Sequence, residues 1–362
     1  MITRMRNGLV AIGVVAAVSA TVVAQAVRPA FVAPGVMQGF MPALATASQT
    51  TGSNVPAKTA SKAGWTPPRT AWGDPDLTGT YTSDDSIGIP FERPPQYAGR
   101  AVLSEDEFAA RERANAEQLA KDRAERPESS FEEDAAANNA PRHWLERASK
   151  PSRATSLVVE PADGRIPPMT PEAQQRIAER RAARLAHGAS DSYEYHSNYD
   201  RCISRGVTSS MLPAIYGNGT NIMQGPGYVV IRNEMIHEAR VVPLDAHPHV
   251  GKNIRTYMGD PRGHWEGNTL VVESTNFADK TAIGGGAIPT DSLRLVERFT
   301  RTGADAIQYE FTVDDPRTYA RPWKVALELR SRPGYEIYEY ACHEGNYGLA
   351  NMLSAARADE RK

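Results

Sequence analysis

The chain of 362 residues lacks most of the short motifs by which a chemistry is commonly assigned. It has no GxSxG, HExxH or CxxC pattern and no glycine-rich phosphate loop, which leaves serine hydrolase, zinc protease and P-loop nucleotide chemistry without support. Its formal net charge of −2 provides no basic field for a nucleic acid partner. We therefore expect the partner to be a small organic molecule, with another protein as the alternative.

Cysteine is also scarce, and the N-terminus suggests what the two cysteines do. Arg4 and Arg6 precede an apolar run from Gly8 to Val23 and the triplet Ala24-Gln25-Ala26. This pattern predicts a signal peptide over residues 1–26 and a periplasmic or secreted protein with no membrane contact after cleavage. Retention of the run as an anchor is the alternative, although the run is shorter than the roughly 20 residues of a spanning helix.

In an oxidising compartment the only two cysteines, Cys202 and Cys342, are predicted to form a disulfide. The alternative is a pair of unrelated buried thiols.

Composition divides the rest of the chain into three parts. Residues 27–63 are rich in Ala, Pro, Thr, Ser and Gly and predict a flexible leader. Residues 64–190 predict an extended segment that wraps a core and contains two helices. The first helix begins at Ser104, which forms a capping box with Glu107, and the second begins at Thr170-Pro171.

Residues 191–362 change to the period of two that is typical of half-buried strands. The sequence predicts an antiparallel β-barrel or curled sheet, a lipocalin-like meander, with a hairpin at Gly267-Asn268 and a last strand over 335–341. His237 shares its parity with apolar residues and is expected inside. Glu297 also lies on an apolar parity, so it must either meet an arginine or line a wet cavity.

Several strings resemble a widespread family of secreted bacterial proteins of unassigned activity. They include Asp200-Arg-Cys-Ile-Ser-Arg-Gly206, Tyr216-Gly-Asn218, Gly263-His-Trp-Glu-Gly267 and Ala341-Cys-His-Glu-Gly-Asn-Tyr347, and the likeness extends over about residues 65–360. The resemblance implies export. The family reads Asp-Gly-Arg-Pro-His where this chain has Asp245-Ala-His-Pro-His249, which favours His249 over His247 as part of shared machinery.

These patterns lead to a functional hypothesis with two alternatives. The hypothesis is an exported lyase, isomerase or hydrolase that uses general acid–base chemistry in a barrel cavity and needs no cofactor. Its predicted catalytic residues are His237, Glu234, His249, His343 and Glu344. Its predicted ligand-binding residues are Arg201, Tyr228, Trp265, Glu297, Trp323 and Tyr340. The alternatives are a non-catalytic periplasmic carrier, and a divalent metal site on His237, His247 and His249.

Overall fold

The computed structural model describes residues 65–124, 145–188, 190–284, 288–332 and 334–361. Within these ranges the chain forms a nearly closed antiparallel β-barrel of nine strands in the order β5-β4-β3-β1-β10-β9-β8-β7-β6. The end strands β5 and β6 lie against each other. A tenth strand, β2, pairs with β10. The mainly-β barrel prediction is confirmed, whereas the predicted signal peptide and leader lie outside the described residues.

The strands are three to nine residues long. They are β1 Gly79–Thr82, β2 Val158–Glu160, β3 Gly219–Gly225, β4 Tyr228–Asn233, β5 Ala239–Pro243, β6 Asp260–Glu266, β7 Thr269–Thr275, β8 Arg294–Arg301, β9 Ala306–Asp314 and β10 Trp323–Ser331. β1 and β2 come from the predicted wrapping segment, and β1 is inserted between β3 and β10. That segment therefore completes the barrel wall as well as covering it.

Alternating side chains fill the barrel interior. Along β9, Tyr309, Phe311 and Val313 are buried while the residues between them are partly exposed. Inside the wall, Arg240 makes a two-pronged ion pair with Glu297, with Nη2 at 2.9 Å from Oε1, and the Tyr309 hydroxyl donates to the same oxygen at 2.8 Å. Glu297 thus meets an arginine, the first of the two predicted outcomes. The pair is stabilised by its hydrogen bonds in the buried core.

Four α-helices lie in the described part of the chain: α1 Glu105–Ala124, α2 Pro171–Ala186, α3 Val207–Met211 and α4 Tyr347–Asp359. The predicted capping box at α1 is confirmed, because Ser104 N donates to Glu107 Oε2 at 2.9 Å and Glu107 N donates to Ser104 Oγ at 3.3 Å. The predicted start of α2 is confirmed by the 3.1 Å bond from Ala173 N to Thr170 Oγ1.

Over the residues described, no helix is both long enough and apolar enough to cross a membrane.

Two local predictions are wrong. The segment 335–341 is not a strand, although its alternation suggested one. The strand predicted to continue through His237 ends at Asn233, and a helical turn over Met235–His237 joins β4 to β5. Because Ile236 and His237 have φ values of 60° and 44°, the turn shifts the parity and leaves the His237 side chain exposed rather than inside.

Candidate functional site

A pocket of about 790 Å3 lies at the end of the barrel where β3 begins and β4 and β10 end. We call it the tyrosine pocket. Its size is in the range of small-molecule sites, and it lies at the end of the barrel rather than among the interior side chains. Its lining residues are Glu146, Tyr199, Asp200, Cys202, Tyr216, Gly217, Glu234, Tyr335, Tyr338, Glu339, Tyr340, Ala341, Cys342, Gly345 and Asn346.

Glu234 is positioned by the turn that follows β4. Its backbone nitrogen donates to Gly219 O at 2.8 Å, and the Gly219 nitrogen donates back to Glu234 Oε2 at 3.1 Å. A side chain at Gly219 would be too close, because an added Cβ would lie 2.5 Å from Glu234 Oε2. The glycine therefore allows the carboxylate to lie directly against the start of β3.

Tyr335 connects two carboxyl groups of the pocket. Its hydroxyl donates to Glu234 Oε2 at 2.5 Å and lies 3.3 Å from Glu146 Oε1. Burial, the hydrogen bond to Glu234 and the nearby negative charges raise the pKa of Tyr335, so it remains a phenol. One hydroxyl therefore lies between two carboxyl groups.

Glu146 is the carboxyl group most altered by its surroundings. The pKa of Glu146 is raised to about 7. Burial is the main cause, followed by the hydrogen bond with Asp84 and by the negative charge of Asp84. Asp84 is fully buried behind the pocket and lies 2.9 Å from the Arg332 guanidinium. At neutral pH Glu146 exists both protonated and ionised, which suits a group that gives or takes a proton.

Three tyrosines form the opposite wall. The Tyr340 hydroxyl lies 3.4 Å from that of Tyr199 and 3.5 Å from that of Tyr216. The rings of Tyr216 and Tyr340 are nearly parallel, with an interplanar angle of 15°. Burial, followed by these hydrogen bonds, raises the pKa of Tyr340. The wall thus offers aromatic faces and neutral hydroxyl groups to a ligand.

The predicted disulfide holds this wall in place. Cys202 and Cys342 are bonded, with their Cα atoms 5.7 Å apart, and both line the pocket. Cys202 and Ala341, the residue before Cys342, have positive φ values of 55° and 47°. Such strained residues are often found at functional sites, where the surrounding structure holds them in place. Here the cross-link attaches the segment bearing Tyr335 and Tyr340 to the loop bearing Tyr199.

Four of the residues singled out from sequence line the tyrosine pocket: Glu234, Tyr340, Cys202 and Cys342.

The other proposed catalytic residues do not line the pocket. His343 and Glu344 follow the disulfide but are exposed. His249 is half-buried near the opposite end of the barrel, where its Nδ1 lies 3.0 Å from Asp260 Oδ2. His237 and His247 are exposed, and within the described ranges no group of three or more His, Cys, Asp or Glu residues could hold a metal ion.

The remaining residues predicted to bind a ligand are distributed over the molecule. Trp323 and Glu297 belong to the barrel core, and Trp265 packs against it. Tyr228 is exposed at the start of β4, far along the strand from Glu234. Arg201 is next to Cys202, but its guanidinium stacks over the ring of Tyr193.

Sequence reasoning missed Glu146, Tyr335, Tyr199 and Asp84 as site residues. Tyr216 and Asn218 were visible only as part of a motif. The string Tyr216-Gly-Asn218 precedes β3, and Asn218 proves to connect Glu146 with Asp84. No local pattern distinguishes Glu146 from other surface acids, since its role depends on residues far away in sequence.

In comparisons with known proteins, no family model matches the chain, and no curated protein matches it significantly. The geometry of the tyrosine pocket is therefore the basis for assigning a function.

Proposed function

We propose that the protein is an exported enzyme that moves protons on a small organic molecule bound in the tyrosine pocket. The observation that carries the proposal is the Tyr335 hydroxyl, which lies within hydrogen-bond distance of both Glu234 and Glu146 at the edge of an open pocket. Two carboxyl groups with different surroundings can take opposite roles, one as base and one as acid.

The roles follow from the hydrogen bonds. Glu234 is the base that removes a proton from the substrate, and protonated Glu146 is the acid that delivers one to another atom. In an isomerisation no net proton is gained or lost. The proton on Glu234 then returns to Glu146 through the Tyr335 hydroxyl, which accepts one proton as it donates another. Elimination or hydrolysis would use the same acid and base.

Export is part of the proposal. A disulfide at the pocket is compatible with an oxidising compartment. The alternative function is a non-catalytic carrier, which the tyrosine wall favours because aromatic faces bind ring-bearing ligands without chemistry.

Solvent deuterium incorporation tests the proposal without knowledge of the product. Residues 27–362, with the disulfide formed, are incubated in D2O with a panel of small carbonyl and hydroxy compounds, and mass spectrometry follows deuterium uptake, elimination products and hydrolysis. We expect at least one compound to react, with the rate lowered about 100-fold or more in Glu234→Gln and Glu146→Gln. Glu112→Gln, at an exposed position on α1 outside the pocket lining, is the matched control and should react at the wild-type rate.

Equal rates in Glu234→Gln and in the wild-type protein would show that the chemistry lies elsewhere. Ligand binding at the tyrosines with no reaction of any bound compound would instead support the carrier.

A further inference from the structure

We infer that the tyrosine pocket selects a ring-bearing organic cation, such as a substituted ammonium ion, over neutral and anionic molecules of the same shape. The inference extends the proposed function, because it assigns a ligand class to the same pocket. It depends on the aromatic wall and on the distribution of charge around the cavity.

The aromatic wall provides the first argument. Five tyrosines line the pocket, namely Tyr199, Tyr216, Tyr335, Tyr338 and Tyr340. The face of an aromatic ring is negative and attracts cations within about 6 Å of its centre. The two nearly parallel rings of Tyr216 and Tyr340 place two such faces side by side. Aromatic rings also favour a ligand that carries a ring of its own.

The charge of the lining provides the second argument. Four lining residues carry carboxyl groups, namely Glu146, Asp200, Glu234 and Glu339, and no lysine or arginine is among the described lining residues. Glu339 has no ion pair with any residue that the structure describes. An anionic ligand would meet several like charges in a partly desolvated cavity, where charge repulsion is stronger than in bulk water.

Arg205 is a cation in contact with the lining residue Tyr199, and its position supports the inference. Its guanidinium does not line the pocket but stacks on the ring of Tyr199, with Cζ 5.9 Å from the ring centre. Its backbone nitrogen donates to Glu238 Oε2 at 2.9 Å. The protein thus already places one cation against a ring of the same wall.

Three probes of matched size test the selection: benzyltrimethylammonium, benzyl alcohol and benzoate. Binding to disulfide-bonded protein is measured at pH 8 by calorimetry and by NMR of labelled tyrosines. We expect the ammonium ion to bind at least tenfold more tightly than the alcohol and the benzoate to bind most weakly. Glu339→Gln should lower the affinity for the ammonium ion several-fold and leave the affinity for the alcohol unchanged. Tyr340→Leu should lower the affinity for both. Glu112→Gln is again the control.

The failures of the two proposals can be told apart. If the alcohol or the benzoate binds as tightly as the ammonium ion and shifts the NMR signals of Tyr340, cation selection is overturned. The proposed acid–base function would then remain in place. Absence of any shift at the pocket tyrosines with all three probes would overturn the ligand class and remove the support for the pocket itself.

Discussion

Asn218 and Glu146 are joined by two hydrogen bonds to the same oxygen. The Asn218 backbone nitrogen lies 3.2 Å from Glu146 Oε2, and its side-chain Nδ2 lies 2.7 Å from that atom. The same Nδ2 lies 2.8 Å from Asp84 Oδ1. One amide group therefore holds two carboxyl groups close together in a buried place, where they do not both ionise easily.

The first prediction concerns the negative charge of Asp84. Because burial and then Asp84 raise the pKa of Glu146 to about 7, Asp84→Asn should move the pKa of Glu146 down towards its ordinary value of 4.5. Burial still acts in the variant, so the return should be incomplete. Carbon-detected NMR titration of labelled glutamate measures the shift directly. Asp200→Asn, which alters another lining carboxylate, is the control, and an equal shift there would contradict a specific effect of Asp84.

The second prediction is a pH dependence of stability. Glu146 has a higher pKa folded than unfolded, so between about pH 4.5 and 7 the folded protein binds more protons and its stability falls as pH rises. Once the pH has passed the folded-state pKa of about 7, this loss of stability is complete. After allowance for the partial exposure of Glu146, the loss in the free energy of unfolding is on the order of 2 kcal/mol. Glu146→Gln remains uncharged at every pH.

Urea denaturation of the wild-type protein and of Glu146→Gln at pH 4, 6 and 8 measures the difference between their free energies of unfolding. The contributions of the other titrating groups cancel in this difference. The variant should gain stability relative to the wild-type protein as pH rises. A constant difference across this range would show that Glu146 titrates normally.

The sequence predicts most of the barrel because its longer strands each carry their own signal. Along β9 and β10 the buried residues alternate with partly exposed ones, and this pattern is visible without any knowledge of partners. The short strand β1 carries no such signal, yet it pairs with β3 and β10. An isolated fragment of residues 191–362 would lack a central strand of its own barrel.

The candidate site is much harder to predict, for physical reasons. The direction of His237 depends on the left-handed backbone of Ile236 and His237 in the turn after β4, whereas the predicted parity requires one uninterrupted strand. Glu146 comes from the wrapping segment and becomes unusual only next to Asp84. The disulfide could be predicted because the prediction needs only two cysteines and an N-terminal pattern that suggests export. A site assembled from distant, individually ordinary residues leaves no local pattern.

The third prediction concerns the disulfide between Cys202 and Cys342, which closes a loop with a sequence separation of 140 residues. In the chain-entropy model its loss costs on the order of 5 kcal/mol of stability. The double variant Cys202→Ala/Cys342→Ala should unfold at lower urea and, under conditions where it remains folded, should lose the NMR shifts that pocket ligands produce at Tyr340. A variant that is less stable but binds ligand normally would show that the cross-link does not hold the wall.

The fourth prediction separates the barrel core from the site. Removing one partner of the buried pair, as in Glu297→Gln, leaves an uncompensated arginine and should cost about 3–5 kcal/mol. Replacing both partners in a Tyr309→Phe background, as in Arg240→Met/Glu297→Leu, should cost much less, since apolar groups of similar volume can fill the same space and no buried hydroxyl loses its acceptor. Urea unfolding compares the three proteins. A triple variant as unstable as the single one would show that shape, rather than charge, dominates at this place.

The last prediction tests whether close backbone packing sets the geometry of the acid–base pair. In Gly219→Ala the new Cβ would lie 2.5 Å from Glu234 Oε2 and 3.0 Å from Tyr335 Cε1, so one of the two side chains must move. Such overpacking costs about 1–3 kcal/mol, and the displaced carboxylate should slow deuterium exchange. Gly348→Ala in α4, where an added Cβ has no atom within 4 Å, is the matched control. It should leave the exchange rate unchanged and slightly stabilise the helix. Because both changes add one methyl group, an equal effect on exchange in the two variants would show that the contact between Gly219 and Glu234 does not position the base.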